Sequence, residues 1–225
     1  MSRSVPVSAR GTAAVLLAAA LALAGCSSQV AGSPAPAAGG GAGAPAAGPE
    51  PSGPAQPTPA APAPGGPGQA EQGDAFDDAE GRFDLLPPEG WEVDTSGQQG
   101  TAAVFLDPQP VSTSAGQFRV NVNVIVGAFD GDLDDLLAET RSQLPTFTAY
   151  ASTADEEVQL VDGTKAHLLG GTFTDDASGF DLQNLQLFTV HEGNVYAVTG
   201  TAPTEVWADY EQELESTLRS LTLTV

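Results

Sequence analysis

Between Ser27 and about Gly73 the chain is almost entirely Ala, Pro, Gly, Ser and Gln, with eleven prolines from Pro34 to Pro67. A segment of that composition cannot bury enough apolar surface to offset its ordering entropy. Any fold is therefore confined to the remainder, roughly 150 residues, which is enough for one sizeable core and suggests a single domain. The tract itself reads as a disordered linker. As a coil, some 50 residues span about 40 Å, and as polyproline II they reach about 150 Å. A Pro-rich ligand for an aromatic groove is the weaker reading, because Ala and Gly dilute any regular spacing.

Upstream of the tract, Arg3 and Arg10 precede an apolar run from Thr12 to Ala24, a signal-peptide pattern too short for a permanent transmembrane helix. The arginines are not adjacent, which gives no support to twin-arginine export. The run ends at Leu23-Ala24-Gly25-Cys26, and Cys26 is the single cysteine of 225 residues. This tetrapeptide resembles the bacterial lipobox, which implies cleavage between Gly25 and Cys26 and lipidation of Cys26. The expected location is the outer face of the cytoplasmic membrane, with the lipid on Cys26 as the anchor. A lone cysteine makes no internal disulfide, so packing must hold the fold even in an oxidising compartment.

The formal net charge is −22, and only Glu50 of the 29 acidic residues precedes Glu71. Arg82, Arg119, Arg141, Lys165 and Arg219 stand far apart, so no basic patch faces a phosphate backbone and nucleic-acid binding is disfavoured. The acidity leaves two readings open, solubility outside the cytoplasm and steering of a basic partner.

Aromatic and β-branched residues arrive together near Phe76, and residues 76–225 are the expected α+β domain. Phe83 to Leu86 reads as a strand, with Pro87-Pro88-Glu89-Gly90 turning the chain into Trp91-Glu92-Val93. Ala102 to Leu106 is a second candidate. From Phe118 to Val126 the alternation is strict, with Phe118, Val120, Val122, Val124 and Val126 on one face. Burying those five contributes about 10 kcal/mol before entropy, which predicts a central strand. Its other face, with Arg119, Asn121 and Asn123, is expected to be mostly wet.

Carboxylates at Asp130, Asp132 and Asp134 suggest a calcium loop, but Asp135 stands where the loop needs Gly and Arg141 where it needs Glu. The better reading is a helix capped by Asp132, with Leu133, Leu136, Leu137, Thr140 and Leu144 as its apolar stripe and Pro145 as its stop. Strands are expected at about 157–161, 165–174, 182–191 and 194–201. Asp162-Gly163 and Glu192-Gly193-Asn194 supply hairpin turns between them. Gly170-Gly171 predicts a bulge or a close approach. A last helix is expected from near Pro203 to Arg219, with Trp207, Tyr210, Leu214, Leu218 and Leu221 on its stripe, followed by a short strand within 221–225.

The usual catalytic and metal-binding arrangements are missing. His167 and His191 are the only histidines, no GxSxG elbow accompanies them, and two histidines without a cysteine in the domain fall short of a structural zinc set. A glycosidase-type carboxylate pair cannot be singled out among so many acids. The Gly39 to Gly43 run lacks the strand and helix of a phosphate loop. No enzyme activity, metal or cofactor is expected.

Phe83-Asp-Leu-Leu, Pro88-Glu-Gly-Trp91, Val120-Asn-Val-Asn-Val-Ile, the Leu-rich helix, and Tyr196-Ala-Val-Thr-Gly-Thr-Ala-Pro203 with Trp207 and Tyr210 together resemble the LpqN/LpqT family of actinobacterial envelope lipoproteins. The resemblance covers about residues 80–225. It implies a PsbP-like fold, an antiparallel β-sheet packed between α-helices, with no catalytic residue to carry over. It also implies a non-catalytic adaptor for envelope or secreted proteins; the chain is expected to be a monomer. The alternative is a carrier of a lipid or other small apolar ligand, which would need an apolar cavity between sheet and helix of about 300 Å³ or more.

Overall fold

The computed structural model describes residues 72–224. Three short strands open this part of the chain: β1 (Phe76–Asp77), β2 (Phe83–Leu85) and β3 (Glu92–Asp94). They are followed by β4 (Ala103–Leu106), the hairpin β5 (Val111–Thr113) and β6 (Gly116–Phe118), and β7 (Asn121–Ala128). Helix α1 (Leu133–Gln143) leads to β8 (Thr148–Gln159), β9 (Lys165–Thr174), β10 (Asp181–His191) and β11 (Asn194–Pro203). Helix α2 (Trp207–Arg219) and β12 (Thr222–Leu223) complete it.

The main sheet has seven strands in the order β3-β4-β7-β11-β10-β9-β8, every pairing antiparallel. A small sheet, β1-β2-β12, lies beside it. On one face of the main sheet Val122, Val124, Val198, Leu187 and Leu168 pack against Leu214 and Leu218 of α2, together with Phe83 and Leu223 of the small sheet. On the other face Ile125, Ala197, Phe188 and Leu169 pack against Leu136 and Leu137 of α1. This is the expected α+β class, with an antiparallel sheet between helices.

Burial on both faces corrects the reading of the strand after Phe118. Asn121 and Asn123 are not wet: they are 6% and 1% exposed, because β7 is an inner strand with helices over both sides. Asn121 Nδ2 donates to the Arg119 carbonyl at 3.1 Å, whereas the Asn123 amide has no partner among the described residues. Phe118 also leaves the valine stripe. It ends β6 and meets Phe180 edge-on, with ring centroids 5.3 Å apart, in a separate aromatic cluster with Phe173.

Local signals set α1 and the hairpins. Asp135 N donates to the Asp132 carboxylate at 2.9 Å, closing a reciprocal capping box over the first turn. Glu192 and Gly193 both take positive φ, 48° and 75°, the two-residue turn whose twist suits the β10–β11 hairpin.

Two other boundaries differ from the sequence reading. Pro203 is the last residue of β11, opposite Leu182, and α2 starts only at Trp207 after a turn in which Thr204 N donates to the Asp181 carbonyl. A proline at a strand end gives up no ladder bond that another residue needs. Strand β8 begins at Thr148, well before 157. It is an edge strand, mostly exposed, with two register shifts and with Ala149 at φ 55°, so its sequence shows no apolar alternation.

Candidate binding surface

Gly25 and Cys26 lie outside the described residues, as do the expected signal peptide and nearly all of the expected linker. The two histidines lie on different strands, and register places His167 opposite Phe188, three residues short of His191 on β10. His167 Nε2 is 2.6 Å from Asp155 Oδ1, close enough for the ring to donate its Nε2 proton. Arg141 of α1 forks the same carboxylate, with Nε–Oδ2 at 3.1 Å and Nη2–Oδ1 at 2.6 Å. The guanidinium first, and His167 second, hold Asp155 below the usual carboxylate range. These contacts tie α1 to β8 and β9 and present no hydroxyl or thiol to the ring. His191 Nε2 is buried without a partner among the described residues. No group of three potential metal ligands forms among the described residues.

A cleft of about 320 Å³ opens beside the small sheet, lined by Phe76, Asp78, Arg82, Thr101, Ala102 and Val126. Its charges are committed to one another. Arg82 bonds Asp78 at 2.7 and 3.0 Å and Glu80 at 3.0 Å, and its hydrogen bond lowers the Asp78 pKa. The cleft is partly charged and neither α-helix contributes to its lining, unlike the apolar sheet–helix cavity that a carrier requires.

A second hollow, about 100 Å³, lies between α2 and the strands β8 to β10. Glu156, Glu211 and Glu215 line it together with Thr153, Gln183 and the buried Leu168, Leu185 and Trp207. Trp207, Glu211, Glu215 and Arg219 are spaced four apart, so they run along one ridge of the helix. Arg219 Nε pairs with Glu215 at 2.7 Å and Nη2 with Glu156 at 3.0 Å, whereas Glu211 makes no ion pair among the described residues. Trp207 is 6% exposed, and its Nε1–H has no acceptor among the described residues. Tyr210, one step around the helix, is anchored instead, its hydroxyl donating to Asp107 Oδ2 at 2.7 Å.

Sequence reasoning placed Trp207 in the apolar stripe, where it does pack, and missed the hollow beside it. The fourfold spacing of Trp, Glu, Glu and Arg was the available signal for the helix side. Nothing comparable marked the strand side, since Glu156 reaches the rim only through the pairing of β8 with β9.

Comparison with curated proteins finds no match. Among solved structures, LpqN of Mycobacterium tuberculosis, described as involved in cell envelope biogenesis, is similar in fold. It has 15% identity and a TM-score of 0.50, over 68% of this chain and 90% of that one. The solution structure of cyanobacterial PsbP from Synechocystis sp. PCC 6803 has 18% identity and a TM-score of 0.47, over 72% of this chain and 97% of that one. The sequence pattern of the PsbP family matches residues 71–223, most of the chain and all of the folded part described above, so the chain belongs to the PsbP family.

Proposed function

We propose that this PsbP-family chain is a lipid-anchored envelope lipoprotein of the LpqN/LpqT type, and that its acidic domain is a non-catalytic protein-binding module. The single observation behind the anchor is Leu23-Ala24-Gly25-Cys26 at the end of an apolar run. The role in envelope biogenesis given for LpqN belongs to the same setting. Support for a binding module comes from the domain's titratable groups. His167, Asp155 and Arg141 engage one another, as do Asp78, Glu80 and Arg82, and neither set faces a nucleophile.

Two or three acyl chains on Cys26 anchor stably, at about 0.8 kcal/mol per buried methylene, whereas one gives marginal binding. Cys26→Ser should therefore move the protein from the membrane to the soluble fraction and abolish labelling by an alkynyl fatty acid. A variant that stays membrane-bound would sink the anchor. For the binding role, photocrosslinkers placed on the domain surface in intact cells should yield one reproducible adduct mass, and no adduct from any face would remove the adaptor reading.

A further inference from the structure

We infer that the cleft beside the small sheet is a binding site for a small monocarboxylic acid with an apolar body, its carboxylate taken by Arg82 in place of Glu80. The inference goes beyond the protein-binding role and does not depend on it.

Arg82 enters the cleft with one donor edge fixed and one on offer. The turn between β1 and β2 is closed by main-chain bonds, Asp78 N to the Phe83 carbonyl at 3.0 Å and Gly81 N to the Asp78 carbonyl at 2.8 Å. It sets the buried Asp78 carboxylate against the Nε and Nη2 edge of Arg82, at 2.7 and 3.0 Å. A guanidinium gripped there keeps a second edge, Nη1 with Nη2, whose spacing matches the two oxygens of a carboxylate. On that edge the described residues supply a single contact, Glu80 Oε2 to Nη1 at 3.0 Å. The Glu80 side chain is 71% exposed, so this pair is weak and exchanges with an incoming carboxylate at little cost. Asp78 does not exchange, because its side chain is buried and also accepts from the Arg82 main-chain N–H at 3.2 Å.

The rest of the lining sets the body of the ligand. Phe76, Ala102 and Val126 line the cleft and are only partly buried, so they keep apolar surface that solvent reaches. The Phe76 ring is held edge-on against Phe105, with centroids 5.2 Å apart, which fixes that part of the wall. Gly97 and Gly100 of the β3–β4 loop, both at positive φ, line the cleft with main chain alone. A volume of about 320 Å³ is at the lower end of small-ligand pockets and takes a small ring or a short alkyl chain. Two carboxylates against one guanidinium already leave the lining negative, within an acidic domain. That field selects against phosphates and other polyanions, and a single carboxylate that replaces Glu80 adds the least charge.

The test titrates the full-length, isotope-labelled protein with phenylbutyrate and follows its amide resonances. Saturable shifts should appear at Arg82, Gly97, Gly100 and Ala102. Phenylbutanol and phenylbutylamine, which keep the body and lose the carboxylate, should bind about tenfold more weakly. Acetate, which lacks the body, should also bind about tenfold more weakly. Glu80→Gln, which removes the resident carboxylate, should tighten phenylbutyrate binding about threefold. Glu139→Gln in α1, the helix on the other face of the main sheet, should leave it unchanged. Arg82→Gln should abolish the shifts; because it also strips Asp78 of its partner, the Glu80 variant and the ligand series decide the matter if that protein does not fold. The inference is overturned if the alcohol or the amine binds as tightly as the acid, or if no saturable shift occurs at the cleft. It is equally overturned if Glu139→Gln tightens binding as much as Glu80→Gln, which would assign the effect to overall charge.

Discussion

Asp78 and Glu213 are two carboxylates that the fold treats in opposite ways. Asp78, with a side chain 4% exposed, is held below the usual carboxylate range chiefly by its hydrogen bond from Arg82, against desolvation. Its folded pKa is depressed, so its stabilisation is present above the unfolded value, near pH 4, and is lost as pH falls through the folded value. Asp78→Asn should therefore cost about 1–3 kcal/mol at neutral pH, with the gap to wild type closing in acid. Glu213 is raised by burial, with the Asp107 charge a smaller cause, so at neutral pH its charged form is penalised. Glu213→Gln should raise Tm at pH 7 and lose that advantage as pH falls. Thermal melts of both variants across pH check the signs, and a pH-independent difference for either would refute the assigned cause. At this scale the Asp132 cap was legible because its partner is three residues away, whereas Asn123 was misread because its burial depends on strands and helices distant in sequence.

Elements show the same division. The Gly170-Gly171 pair predicted a bulge in its own strand or a close approach; the bulged residue is on β8 instead, and the glycines of β9 admit side chains from that strand. A Cβ on Gly171 would overlap the Tyr150 ring, and one on Gly170 would come within 2.8 Å of Thr153 Oγ1. Gly171→Ala should cost about 1–3 kcal/mol by overpacking. Combining it with Tyr150→Ala should give less than the sum of the two single effects by about 0.5 kcal/mol or more, measured by denaturant unfolding. Additive losses would mean that the ring does not rest on this glycine. Helix α1 was readable from its cap, its 3–4 spacing and Pro145. Strand β8 was not, because an exposed, bulged edge strand need not alternate apolar with polar residues.

For the whole molecule, charge is the dominant feature beyond the core. Every basic residue among the described ones is engaged in an ion pair: Arg82, Arg119, Arg141, Lys165 and Arg219. The acidic excess that remains repels itself in the compact state. Raising sodium chloride from about 0.02 to about 0.3 M should therefore raise Tm by a few degrees, because screening weakens diffuse repulsion more than close pairs. A fall in Tm would show instead that the pairs outweigh the repulsion. The sequence by itself determined the identity of most strands and both helices, and the acid excess. Each of these depends on composition or on spacings of two to four residues. Only the tertiary structure decided which strands are inner ones, that Asn121 and Asn123 are buried, and that Glu156 of β8 meets Trp207, Glu211 and Glu215 of α2 around one hollow. Those facts rest on sheet order and on a register shift between residues far apart in the chain, and no local pattern encodes them.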